Sequence, residues 1–214
     1  NNKIKVLVTA GPTKEYIDPV RFISNKSSGR QGYEIAKSLF NRGFETTLIS
    51  GPTNLNIDEK INLIKVETAE EMFKATQKNL PTDIAIFSAA VVDFKINKNK
   101  EKIKKHETLN LNLEKNIDIL SYVSNHNSMR PKLVIGFAAE TKDLDKNAIE
   151  KLTNKNCDWI IANDVSRKDS GFDSNYNEVT IYYKGSNNKK DKLLFKKKSE
   201  ISEEIVDRVV AQFN

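Results

Sequence analysis

Short apolar runs, stopped by glycine, proline or asparagine and separated by longer segments of helical spacing, set the plan of the chain. Ile4, Val6, Leu7 and Val8 form a run that ends at Gly11-Pro12, a dipeptide that terminates strands. Ile35, Ala36, Leu39 and Phe40 recur at helical spacing, which predicts a helix over about 29–42 with Gly43 as its C-terminal cap. Strands are predicted at 45–49, before Gly51-Pro52, and at 61–66. Thr68 stands where a cap is needed for a helix with Glu70 and Glu71 in its first turn and Met72, Phe73 and Leu80 inward. Residues 83–90 (DIAIFSAA) are nearly all apolar, as a central parallel strand covered on both faces requires.

The pattern breaks at 95–107 (KINKNKEKIKKHE), a basic stretch too long for a plain connection and expected to be a flexible flap. Leu109, Leu111 and Leu113 alternate with Asn110 and Asn112, which predicts a half-buried strand. Asn116 is expected to cap a helix carrying Ile117, Ile119, Leu120 and Val123. A core strand at 133–138, a helix at 143–154 and a strand at 159–162 follow. Residues 178–183 and 192–195 read as a hairpin around the loop 185–191, and Ser199 as the cap of a last helix with Ile201, Ile205, Val206 and Val209 inward. Alternating strands and helices predict an α/β fold: a Rossmann-like, doubly wound, mainly parallel sheet with a C-terminal β-hairpin and helix, one domain over 1–214.

Composition narrows the function classes. The 214 residues, 38% hydrophobic and 30% charged, can bury a core without disulfides. The lone cysteine, Cys157, excludes an internal disulfide and a cysteine-based metal cluster, and its apolar surroundings suit a core position. There is no basic-then-apolar leader and no apolar run long enough to span a bilayer, so a cytoplasmic protein without a membrane partner is expected. The net charge of +6 lies largely in lysines mixed with asparagines and acidic residues, as over 184–198. That is read as a solvated surface; a basic nucleic-acid-binding module stays as an alternative, without a recognised motif to support it. A moderate basic bias also suits small polyanionic substrates.

The chemistry gathers at predicted strand ends. A strand, a loop of small polar residues and a helix start form an anion-binding device, and the loop before Ser27-Ser28-Gly29 also carries Thr13, Glu15, Asp18, Arg21 and Asn25. Polar or glycine-bearing residues also follow the strands at 90–93, 137–141 and Asn163-Asp164. In an open α/β sheet that edge is where ligands bind. No Gly-x-Gly-x-x-Gly or Walker loop is present, although an NAD(P)-dependent reductase remains the rival enzyme class. Tyr33-x-x-x-Lys37 lies on the first helix, the wrong place for reductase chemistry. His106 and His126 sit in polar stretches and give little support to a triad or a histidine metal site. Asp93 after the central strand reads equally as a turn cap or as a metal–phosphate ligand. Lys102, Lys104 and Lys105 read as solvated or as a flap over phosphates, and Lys151 and Lys155 as a surface face or an anion site.

Taken together, VTAGPTKEYIDPVRFISNKSSGRQG (8–32), SAAVVDF (88–94), EKIKK (101–105), GFAAET (136–141) and ANDVS (162–166) resemble phosphopantothenoylcysteine synthetase, the coenzyme A pathway ligase. In many bacteria it is the C-terminal half of a bifunctional protein with a flavin-dependent decarboxylase. That half is missing here, so the resemblance fits a stand-alone synthetase or an excised domain. It implies joining of 4′-phosphopantothenate to cysteine through an acyl-cytidylate, with CTP as co-substrate, Mg2+, and a homodimer with sites at the interface. It implies catalytic roles for Asn25 and Lys102, and substrate binding by Arg21, Asn25, Ala89 and Ala90. The implied nucleotide site comprises Gly11, Phe87, Ser88, Ala89, Asp93, Lys102, Ile117, Asp118, Ile119, Leu120, Phe137, Lys151 and Lys155, with Asp93 on the magnesium ion. The bulk of Phe87-Ser88 departs from the smaller residues expected there.

Overall fold

Val6 and Val8 turn to one side of the first strand and Leu7 to the other, and that alternation organises the molecule. The structure, a computed structural model, describes residues 3–105, 108–166, 174–185 and 189–213. The first half runs β1 (Lys5–Ala10), β2 (Lys14–Tyr16), β3 (Phe22–Ser24), α1 (Arg30–Asn41), β4 (Glu45–Ser50), β5 (Asn62–Lys65), α2 (Ala69–Lys78) and β6 (Ile84–Phe87). The second runs β7 (Phe94–Lys95), β8 (Glu114–Lys115), α3 (Ile119–Ser124), β9 (Leu133–Glu140), α4 (Leu144–Asn154), β10 (Trp159–Asp164), β11 (Tyr176–Tyr183), β12 (Lys190–Lys197) and α5 (Lys198–Phe213).

Eight strands form one sheet in the order β12-β11-β10-β9-β6-β1-β4-β5. Six are parallel, and the hairpin β11–β12 extends the sheet antiparallel from β10. Val6, Val8, Ile84, Ile86, Leu133 and Ile135 face α1 and α5. Leu7, Ala85 and Val134 face α2 and α3 through Met72 and Val123, while Ile160 and Ala162 meet Ala148 and Leu152 of α4. Burial of each such Leu or Ile contributes about 1.5–3 kcal/mol, so strands covered on both faces dominate the core. The chain leaves β1 through β4 and β5 on one side, then returns to β6 on the other. Between β1 and β6 the strand order reverses, which opens a crevice at their carboxyl ends. No helix of the described residues is long and apolar enough to cross a membrane.

Three local expectations are corrected. Residues 109–113 form no strand: Leu109, Leu111 and Leu113 are exposed, and the neighbouring ladder joins only Phe94–Lys95 to Glu114–Lys115. Alternation yields a strand only where a partner edge and an apolar surface meet it, and the described chain offers neither there. Asn116 does not cap the helix after it; Asp118 does, with Oδ1 accepting from the Ser121 amide at 2.9 Å. Ser199 lies inside α5, which starts one residue earlier, directly from β12. The hairpin strands are longer than predicted, and part of the loop 185–191 lies outside the described residues, as do His106 and the end of the predicted flap.

Candidate functional site

The segment after β6 is tied down almost group by group. The Ala90 amide donates to Gly11 O at 2.9 Å, and the Thr13 amide to Ala90 O at 3.3 Å. Asn25 Nδ2 donates to Val91 O at 3.0 Å, and the Val92 amide to the buried Thr13 Oγ1 at 2.9 Å. Asn116 closes the far end: its Nδ2 donates to Val92 O at 3.0 Å and its amide to Asp93 O at 2.7 Å. Its Nδ2 also lies 3.3 Å from Glu15 Oε1, which accepts from the Ala69 amide at the start of α2. The loop after β1 thus fixes the main chain of 90–93 and leaves Asp93 at the mouth of the crevice, its carboxylate without a hydrogen bond or ion pair among the described residues.

Two cavities open on either side of this segment. The first, about 520 Å³, lies under residues 25–32 and the start of α1. Gly29 reaches the helix start at φ +77°, in the left-handed region that favours glycine. A Cβ on Gly32 would stand 2.4 Å from Ser88 Oγ and 2.5 Å from the Ala10 Cβ, so the bare backbone lets α1 begin directly over the strand ends. The second cavity, about 400 Å³, lies between β6, residues 115–120 and α4. Ala89, Val91, Asp93, Phe137 and Lys151 line both, so the two spaces join at one wall.

The two lysines of α4 are unlike. Lys151 Nζ donates to Phe137 O at 2.7 Å. Burial holds its ammonium below the usual lysine range, with the Lys155 charge acting the same way and Glu140 and Asp118 against it. Lys155, at the end of the helix, pairs with Asp118 Oδ2. Burial alone would raise the Asp118 carboxyl, but Lys155 and the Ser121 amide outweigh it and hold it below the usual carboxylate range.

Asn25, Ser88, Ala89, Ala90, Asp93, Phe137 and Lys151 line the first cavity. Phe87, Ala89, Asp93, Ile117, Asp118, Ile119, Leu120, Phe137, Lys151 and Lys155 line the second. Ser88 spends its hydroxyl on Thr9 O at 2.6 Å. Gly11, Arg21 and Lys102 line neither cavity. Gly11 makes the turn at φ +76°, Arg21 is held by Asp18 at 2.7 Å, and Lys102 is exposed. No cluster of three or more His, Cys, Asp or Glu suited to a metal occurs among the described residues.

Sequence reasoning missed Lys198, 4% exposed, and Asn177, which join the first cavity from β11 and α5. Gln31 Nε2 donates to Lys198 O at 3.0 Å and to Ser202 Oγ at 2.7 Å, and Asn177 Nδ2 donates to Gln31 Oε1 at 3.2 Å. A signal existed: position 198 shares the inward helical stripe of Ile201, Ser202, Ile205 and Val209.

The chain matches the family model for the DNA/pantothenate metabolism flavoprotein C-terminal domain over residues 2–213. It is 40% identical over 213 residues to the coenzyme A biosynthesis bifunctional protein CoaBC of Haemophilus influenzae, covering 98% of this chain and 52% of that protein. Identity to the CoaBC of Escherichia coli K12 is 37% over 218 residues, covering 99% of this chain and 52% of the relative. The chain therefore spans about half the length of the curated relatives it matches. The crystal structure of the C-terminal domain of a CoaBC superposes with a TM-score of 0.80 at 35% identity, covering 98% of this chain and 95% of that one. A flavoprotein structure from Streptococcus pneumoniae, 24% identical and covering 98% and 99% of the two chains, shares the fold with a TM-score of 0.82.

Proposed function

The chain belongs to the DNA/pantothenate metabolism flavoprotein C-terminal domain family, and on that premise we propose that it is a phosphopantothenate–cysteine ligase acting in coenzyme A biosynthesis. The observation that carries the reading is the pair of joined cavities, which offers room for an acid and a nucleotide on either side of Lys151 and Asp93. The relatives' role in coenzyme A biosynthesis supports it.

A carboxylate does not accept an amine until one of its oxygens becomes a leaving group. The carboxylate of 4′-phosphopantothenate attacks the α-phosphorus of CTP, and pyrophosphate departs. The amine of cysteine then attacks the acyl carbon, CMP departs with the bonding electron pair, and an amide remains. Both steps build negative charge, so fixed cations and amide donors are the useful catalysts. Asn25 lies on the acid side, beside the loop of small residues at the start of α1. Residues 117–120 and Lys155 lie on the nucleotide side, where main-chain groups can read a base edge. Lys151 stands at the join, within reach of both.

Asp93 fits a magnesium ion, because a single carboxylate with substrate phosphates is an ordinary magnesium environment. The ion would supply charge neutralisation at the phosphates. A homodimer is part of the reading, supported by the exposed alternation of Leu109, Leu111 and Leu113, which has no partner edge among the described residues. Residues 95–107 serve as the flap, with Lys102 turning over the activated acid.

Pyrophosphate release from CTP with 4′-phosphopantothenate and magnesium, with and without cysteine, tests the proposal, with ATP in parallel. Acid-dependent release, and an acyl-cytidylate trapped when cysteine is withheld, are expected. Activity with ATP alone overturns the nucleotide assignment, and silence with both overturns the reaction.

A further inference from the structure

Asp18 lies at the tip of the β2–β3 hairpin and is wholly inaccessible, 0% exposed. Its Oδ1 accepts the amides of Val20 and Arg21, each at 2.8 Å, and its Oδ2 accepts Arg21 Nη1 at 2.7 Å. Those bonds would suffice for a tight turn. Oδ2 also accepts the amide of Ile103, 85 positions later in the chain, at 3.1 Å, and Arg21 Nη1 donates to Ile103 O at 3.3 Å. One ion pair therefore grips both main-chain groups of a single flap residue. Four positions earlier the flap is held again, by the Asn99 amide donating to Ile17 O at 2.9 Å. Lys98 Nζ lies 5.1 Å from the centre of the Tyr16 ring on the same hairpin.

We infer that Asp18 is a positioning residue for Lys102: with Arg21 it latches the main chain of Ile103 and fixes the loop that presents the lysine. Lys102 immediately precedes the gripped residue, so its Cα stays about 3.8 Å from that of Ile103 whatever the rest of the flap does. The other anchor leaves only residues 100–102 between the two fixed points. Hydrogen bonds to an ionised group are about twice as strong as neutral ones, and a buried carboxylate that lost them would be left uncompensated, so the latch favours its closed state. Arg21 thus has a task the family resemblance did not assign it. It holds flap to hairpin, and β3 runs from it to Asn25, so the flap lysine and the substrate asparagine are placed by one short element. The latch is a matter of geometry; its consequence for Lys102 rests on the ligase reading above.

Two readouts separate these. Trypsin cuts after Lys100, Lys102, Lys104 and Lys105, and cleavage of a folded protein tracks the population of the opened segment. Asp18→Asn is expected to accelerate cleavage within 100–105 about tenfold or more, since a hydrogen bond to a charged group is lost. Should that variant fail to fold, Ile103→Pro removes the gripped amide without touching the buried carboxylate; because trypsin does not cut a Lys–Pro bond, the acceleration is then read after Lys100, Lys104 and Lys105 alone. Cleavage unchanged in a folded variant overturns the latch. For the positioning role, amide formation should fall up to about a hundredfold, as for a misplaced group, while acid-dependent pyrophosphate release without cysteine persists. The double variant with Lys102→Gln should be no slower than Lys102→Gln alone, because one residue acts through the other. Additive losses, or equal losses in both steps, overturn the positioning role. If the unaltered protein releases no acid-dependent pyrophosphate, the ligase reading and the role of Lys102 fall together, while the cleavage result still decides the latch.

Discussion

Lys151 Nζ is hydrogen-bonded to the main-chain oxygen of Phe137 at 2.7 Å, on the wall shared by both cavities. That bond turns the ammonium inward from α4, where burial disfavours its charge until an anion arrives. Lys151→Gln should therefore lower acid-dependent pyrophosphate release by about a hundredfold, the loss typical of one aimed catalytic donor. Full activity in that variant would remove Lys151 from the site.

The same lysine sets a pH dependence. Its pKa without ligand lies below the ordinary lysine value of 10.5, and a bound polyphosphate favours the charged form. Binding should take up protons at alkaline pH, and the lysine's share of the affinity should be complete below the lowered pKa of the free protein and be lost as the pH rises through the higher pKa of the complex. Titration calorimetry of CTP in buffers of different ionisation enthalpy reads this directly. Observed heats that do not vary with buffer ionisation enthalpy at alkaline pH, or that vary equally in the native protein and Lys151→Gln, would contradict it.

Asp118 caps α3 and pairs with Lys155. Its folded pKa is lowered, so its stabilisation is present above the unfolded value, about 3.9, and is lost as pH falls through the folded value. Asp118→Ala should cost about 1 kcal/mol at neutral pH through the cap alone. The difference in melting temperature between variant and native protein should shrink in acid.

Asn25→Asp would replace the Nδ2 donor to Val91 O with a carboxylate oxygen aimed at a carbonyl. It also places a negative charge beside the proposed acid substrate. A loss of turnover of about a hundredfold is expected, since position as well as charge is disturbed. Near-normal kcat would count against its role.

Gly32→Ala would push a methyl group onto Ser88 Oγ and the Ala10 Cβ. Overpacking of this kind costs about 1–3 kcal/mol, read as a lower melting temperature. Leu111→Asp, on the exposed stripe beside Leu109 and Leu113, should leave that temperature little changed but yield a monomer in sedimentation experiments.

The alternation of strands and helices was legible along the chain because periods of two and of about 3.6 are local properties of the backbone. Val6, Leu7 and Val8, or Ile84, Ala85 and Ile86, declare a doubly covered strand without help from elsewhere. The end of β1 was legible too, since Gly11-Pro12 interrupts the pattern, and that edge of a parallel sheet is where ligands bind. β10, predicted to stop at Asn163-Asp164, instead runs through both, because they pair with Ala139 and Glu140 of β9. Other features needed the fold. Which of two lysines four residues apart turns inward depended on Phe137 O and Asp118, groups from other elements. That Lys198 closes the first cavity depended on where α5 lies across the sheet. The grip of Asp18 on Ile103 joins positions 85 apart, and the leucines of 109–113 lacked the partner edge that would have made them a strand. Local pattern determined which elements form. Hydrogen bonds and ion pairs between distant segments were decided only by tertiary structure, because their geometry exists only once the sheet has brought those segments together.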